Sequence, residues 1–108
     1  MSSIGVTITA GTDGDMVLIA VDGEIDLSNA GHVEQQMASL ISNRTMHAVV
    51  NLSKVTYIDS IGMRVLFALA TSLETAQIGL KLIAPIGCPA RRVIEISGLD
   101  AIVDVEPT

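Results

Sequence analysis

Tyr57-Ile58-Asp59-Ser60-Ile61-Gly62-Met63 joins an apolar, strand-like run to a helical pattern with only an acid and a serine between them. A strand that passes this abruptly into an amphipathic helix restricts the chain to folds in which helices lie on a sheet. It also places Ser60 at a helix start. Unpaired backbone amides and the positive end of the helix dipole meet there, so the position tolerates negative charge. On its own chemistry Ser60 is either a plain N-cap, accepting a hydrogen bond from the first turn, or a hydroxyl suited to phosphorylation.

The rest of the chain supplies the other elements. Val6, Ile8 and Ala10 alternate with polar or small residues, Thr12-Asp13-Gly14-Asp15 carries turn chemistry, and Met16 to Val21 resumes an apolar run, which predicts a hairpin. From Ala30 onward Val33, Met37, Leu40 and Ile41 keep helical spacing, with Ser28 as the cap and Asn43 as the stop. Ala48 to Leu52 and Ile78 to Ile83 read as buried strands with the Ser60 helix between them. Pro89 at a first turn and Gly98 past a last turn bracket a third helix, and Ala101 to Val105 reads as a short final strand. The predicted order is ββαβαβα(β), an α/β fold with a mixed sheet of four to five strands and three or more helices packed on it. The 108 residues suffice for one core, so residues 1–108 are read as a single domain.

Composition narrows the function classes. The net charge is −6, with six Lys plus Arg against twelve acids, and no basic cluster exceeds Arg91-Arg92. A phosphate backbone is repelled by such a surface, and Tyr57 and Phe67 alone offer little to stack on bases. Direct nucleic-acid binding is therefore not expected. No apolar run approaches the roughly 18 residues of a membrane span, and the lone Cys88 permits no internal disulfide. The reading is a soluble cytoplasmic domain that acts through protein partners.

Three segments carry a family resemblance. Val49-Val50-Asn51-Leu52-Ser53-Lys54-Val55-Thr56-Tyr57-Ile58-Asp59-Ser60-Ile61-Gly62-Met63 resembles the signature of the STAS-domain anti-sigma factor antagonists. Gly23-Glu24-Ile25-Asp26 resembles the family's segment after its second strand, and Ser97-Gly98-Leu99 the turn closing its last helix. The resemblance implies the STAS fold, with Ser60 as the phosphoacceptor. It further implies a partner-switching cycle. The unphosphorylated protein binds an anti-sigma factor and frees a sigma factor, the anti-sigma factor acts as an ATP-using serine kinase that phosphorylates Ser60 and loses its grip, and a serine phosphatase resets the cycle. ATP and Mg²⁺ then belong to the kinase, and this chain needs no cofactor and no metal. Two positions depart from the family pattern: Ile61 stands where many relatives carry a second hydroxyl residue, and Arg64 where many carry glycine. Some STAS proteins are instead unphosphorylated scaffolds or small subunits of transport systems, and the intact Asp59-Ser60 pair favours the switch.

The helix after Ser60 divides into faces, since each residue turns about 100°. Gly62, Val65, Leu66, Leu69, Leu73 and Ala76 share the side expected to meet the sheet; Ser60, Arg64, Phe67 and Thr71 share another. This places Arg64, Phe67 and Thr71, together with Met63, on the expected partner-binding surface, with Phe67 an exposed ring unless a neighbouring loop or helix covers it. Asp59 and Asp26 are expected near the serine. Each either orients the hydroxyl or caps a helix.

Rival classes fit poorly. A receiver domain opens strand-helix and needs a lysine followed by proline, whereas Lys81 precedes Leu82. A hydrolase nucleophile elbow requires Gly-x-Ser-x-Gly, and Ile58 occupies the first glycine position. His32 and His47 lie on elements that do not bring them to Ser60, and one cysteine with two separated histidines matches no usual metal spacing. The chain is therefore expected not to be an enzyme.

Overall fold

Alternation of apolar and polar residues builds the first part of the sheet. The computed structural model describes residues 2, 3 and 5–108. Ser2–Ser3 (β1), Val6–Asp13 (β2) and Met16–Ile25 (β3) follow one another, β2 antiparallel to both β1 and β3. Asp13 pairs with Met16, so Gly14 and Asp15 form the turn of the predicted hairpin. Val6 and Ile8 on β2 and Val17, Ile19 and Val21 on β3 are buried on one face, while Thr7, Thr9, Leu18 and Ala20 between them stay exposed.

The chain then alternates helix and strand: Ala30–Leu40 (α1), His47–Ile58 (β4), Ser60–Thr75 (α2), Gly79–Ile83 (β5), Pro89–Ser97 (α3), a 3₁₀ turn at Leu99–Ala101, and Asp104–Glu106 (β6). The six-stranded sheet follows chain order, and β3, β4, β5 and β6 are parallel. The five strands read from the sequence are present, and the two-residue β1 adds a sixth at the edge. Parallel strands in consecutive order need crossover connections, and right-handed crossovers that always step the same way put every helix on the same side. All three helices accordingly share one core with Val6, Ile19, Val50, Leu52 and Leu82, and the face carrying Thr9, Ala20 and Asn51 is left without a helix. Among the described residues no helix is long and apolar enough to cross a membrane.

Helix ends follow local chemistry. Pro89 sits in the first turn of α3, and Gly98 closes it at φ 83°, a left-handed conformation that costs glycine no side-chain clash. The start of α1 differs from the sequence reading: Asn29, not Ser28, is its N-cap residue, and Ser28 lies in the preceding loop. The helix ends at Leu40, ahead of Asn43.

The buried arc of α2 is wider than a single sheet-facing stripe. Gly62, Met63, Val65, Leu66, Leu69, Ala70 and Leu73 are all buried, because α2 lies between α1 and α3 as well as over β4 and β5. Ala76, expected on the core side, is the exposed C-cap residue. At Gly62 the helix lies close against the strand ends. A Cβ at this position would lie 2.5 Å from the Ile25 carbonyl oxygen and 2.8 Å from Ile58 Cγ1, so only glycine lets the first turn of α2 rest on the ends of β3 and β4.

Candidate functional site at the carboxyl end of the sheet

The carboxyl ends of β3, β4 and β5 release three connections side by side: residues 26–29, Asp59 alone, and residues 84–88. Loops at this end of an open parallel sheet are where α/β folds place their ligands. Here the β4 connection is a single residue. Ile58 is buried as the last strand residue, Asp59 is extended at φ −98° and ψ −175°, and α2 begins at Ser60.

Asp59 therefore takes the N-cap position that the sequence left open between acid and serine. Its Oδ1 accepts a hydrogen bond from the Gly62 amide at 2.8 Å, satisfying one of the free donors of the first turn. Its Oδ2 accepts from the Leu27 amide at 3.2 Å, and its own amide donates to the Ile25 carbonyl at 3.3 Å. One carboxylate thus ties the start of α2 to the loop after β3. Ser60, displaced to the first helical residue, is exposed, and among the described residues its hydroxyl makes no hydrogen bond.

The loop after β3 is itself held by side chains. Asn29 is only 3% exposed; its Oδ1 accepts from the Asp26 amide at 3.0 Å and its Nδ2 donates to the Glu24 carbonyl at 2.8 Å. The Asp26 carboxylate accepts from the Ser28 amide at 2.9 Å and from the Ser28 hydroxyl. Asp26 thus sits at the expected end of the sheet, but among the described residues its carboxylate is engaged by Ser28 and not by Ser60. The residue that connects this loop to the serine's helix is Asp59.

The expected partner-binding residues separate on burial. Arg64 and Thr71 are exposed on α2. Met63 is 5% exposed and packs in the core, so its placement on the surface is corrected: three residues after Ser60 and seven before Ala70, it lies on the arc that α2 buries between its neighbours. Phe67 is half-buried and packed against the core, the covered alternative rather than a free ring.

Three residues at this end were not singled out in the sequence. Leu27 is 75% exposed, Ile86 is 81% exposed, and Asn29 is buried. Hydropathy gives no signal for the first two, because an isolated apolar residue in a loop reads the same whether it is covered or bare. Asn29 carried a weak signal, since asparagine just before an apolar helical run is a preferred cap.

Comparison with known proteins agrees with this architecture. A family model described as the STAS domain matches residues 7–108. The chain is 26% identical over 96 residues to the anti-sigma-F factor antagonist RsfB of Mycobacterium tuberculosis, an alignment covering 88% of this chain and 76% of that protein. The crystal structure of an anti-sigma factor antagonist from Mycobacterium paratuberculosis superposes with a TM-score of 0.88 at 27% identity, covering 99% of this chain and 90% of that one. The Bacillus cell fate determinant SpoIIAA, solved in a phosphorylated form, superposes at 0.66 with 20% identity over 92% of this chain and 90% of its own, a likeness of fold. With three helices on one face of a mixed sheet, a strand that runs through a single aspartate into a serine-led helix, and a family match from Thr7 to the last residue, this chain belongs to the STAS domain family.

Proposed function

We propose that this chain is a phosphorylation-gated anti-sigma factor antagonist. With Ser60 unmodified it binds an anti-sigma factor that is also a serine kinase and so releases a sigma factor; with Ser60 phosphorylated it lets that partner go. The observation that carries this reading is an exposed, unengaged Ser60 hydroxyl at the first residue of α2, beside a capping Asp59 that is already committed elsewhere. The partner class follows from the names of the Mycobacterium relatives. A serine phosphatase would reset the cycle, and the setting is the cytoplasm. Arg64 and Thr71, exposed on the same helix, belong to the partner surface in this reading.

The division of chemical labour follows from the hydrogen bonds. In the transfer the Ser60 oxygen forms a bond to the γ-phosphorus of ATP, the bond from that phosphorus to the β–γ bridging oxygen breaks, and ADP leaves with Mg²⁺. The hydroxyl proton needs a base. Asp59 holds two backbone amides and Asp26 holds Ser28, so the kinase supplies the base and this chain supplies a positioned nucleophile.

Magnitudes decide where the phosphate acts. At about 6 Å in a water-like dielectric, a phosphate dianion costs about 1.4 kcal/mol against each nearby carboxylate. The helix N-terminus returns about 0.3–1 kcal/mol, and up to about 2 in favourable geometry. With two carboxylates the net repulsion within the molecule is about 1–2.5 kcal/mol, less than the stability of an ordinary domain, so the fold survives modification. At an interface no such compensation exists, because a bulky dianion must be desolvated against a partner shaped for a hydroxyl.

The test is incubation with the anti-sigma factor kinases of the chain's own genome, purified one by one, with ATP and Mg²⁺. One of them should add a single phosphate by intact mass, and Ser60→Ala should take none. A wild-type chain that no kinase modifies would reject the reading.

A further inference from the structure

Exposed large apolar residues occur at both ends of the sheet, Met46 and Ile102 ahead of β4 and β6, Leu27 and Ile86 behind β3 and β5. Leu27 and Ile86, at 75% and 81%, are among the most exposed, and both lie in connections at the carboxyl end of the parallel strands, with half-exposed Tyr57 at the end of β4 between them. Single exposed leucines are ordinary on protein surfaces. Leu27 differs in how firmly it is presented. The amides of Asp26, Leu27 and Ser28 are all hydrogen-bonded to side chains, the first to buried Asn29, the second to Asp59 and the third to Asp26. Asn29 is pinned in turn to the Glu24 carbonyl. A loop with every consecutive amide tied down loses little further entropy on binding, which is the condition under which an exposed apolar side chain becomes an efficient anchor.

We infer that Leu27, flanked by Ile86, is the apolar anchor by which the anti-sigma factor grips this chain, and that the partner meets it with an apolar pocket rimmed by Lys or Arg. The inference rests on the partner-switching reading and deepens it by naming what the partner holds. The pocket's basic rim follows from charge. The carboxylates of Asp26 and Asp59 lie on either side of Leu27, Glu24 is exposed at the end of the same strand, and the whole chain carries −6. Asp59 is then a positioning residue with two duties: it caps α2, and it sets Leu27 beside Ser60, so that a phosphate on the serine arrives next to the anchor. The docking centre accordingly moves from the α2 flank of Met63 and Phe67 to the loop after β3.

The experiment measures binding of the unphosphorylated chain to each purified anti-sigma factor kinase of its own genome, with wild type, Leu27→Asp, Leu27→Ser, Leu27→Met, Ser60→Glu and Ile102→Asp. Ile102 is 59% exposed but precedes β6, at the opposite end of the sheet. Leu27→Asp and Leu27→Ser should weaken binding by at least about 10-fold, Leu27→Met by less than about 3-fold, and Ile102→Asp should not change it. Thermal melting should leave all of them folded, and wild-type affinity should fall as salt is raised. If Leu27→Asp and Leu27→Ser bind as wild type while Ser60→Glu is lost, the anchor is wrong and the switch stands. Binding indifferent to salt would remove the basic rim. A wild-type chain that binds no member of the panel would overturn both the switch and the anchor.

Discussion

Asp59 and Leu27, 32 residues apart in the chain, are joined by a hydrogen bond of 3.2 Å from the Leu27 amide to Asp59 Oδ2, while Oδ1 of the same carboxylate caps α2 through Gly62. Asp59→Ala removes both contacts at once. The loss of a cap costs about 0.5–2 kcal/mol, and the unpaired Leu27 amide adds little because water can reach it. Urea denaturation should show a loss of about 1–2 kcal/mol, whereas Asp59→Asn, which keeps an acceptor for Gly62, should lose about half of that. Equal losses for the two variants would show that the charge, not the cap, is what matters.

Gly62→Ala sets two effects against each other. Alanine gains about 1 kcal/mol of helix propensity over glycine. Its Cβ, however, would stand 2.5 Å from the backbone oxygen of Ile25, which cannot swing away as a side chain would. Overpacking of this kind costs about 1–3 kcal/mol, so the steric term should win, with net destabilisation in the same urea titration. A more stable variant would mean that α2 lifts freely off the strand ends.

Asn29→Ala should cost about 1–3 kcal/mol, because it strands the Asp26 amide and the Glu24 carbonyl at the part-buried base of the loop. Ser28→Ala, in the exposed part of the same loop, should cost less than about 1 kcal/mol. Amide hydrogen exchange at residues 26–28 should accelerate in the first variant and hardly in the second. The reverse ranking would place the loop's stability in the Asp26–Ser28 contact.

Phe67→Ala separates packing from docking. Half-buried against the core, the ring should contribute about 1–3 kcal/mol of stability, below the roughly 3–5 kcal/mol of a fully buried phenylalanine. Thermal unfolding should register that loss without any partner present. An unchanged melting temperature would mean that the ring serves binding alone.

Ser60→Glu should leave stability within about 1 kcal/mol of wild type, since the helix-end gain and the repulsion from Asp59 and Asp26 are of similar size. A calorimetric scan checks this directly. A large drop would point to release by local unfolding instead of by surface charge.

Much of this architecture is written locally. The alternation at Val6 and Ile8, the turn at Gly14, the helical spacing of Val33 and Met37, and the Pro89 and Gly98 brackets each report on a few neighbouring residues, and the observed order of elements follows them. Boundaries moved where side chains competed. Ser28 reads as a cap from its own type, yet Asp26 engages its hydroxyl and Asn29 takes the cap position. Met63 is buried, against its expected place on the surface, for a different reason. A single helix read in isolation has one buried face, and α2 has three neighbours to cover it.

The sequence by itself determined the succession ββαβαβα(β) and the placement of Ser60 at the start of a helix, because periodicity and turn chemistry act over distances of one to four residues. The tertiary structure alone decided that the loop after β3 lands against Asp59, that Asp26 engages Ser28, and that Leu27 is left bare beside the serine. Those outcomes depend on the parallel pairing of β3 with β4 and on the register shifts at Ala20/Asp22 and Gly23/Glu24, which set where two strand ends meet. The Cβ-less Gly62 then lets the helix close over them.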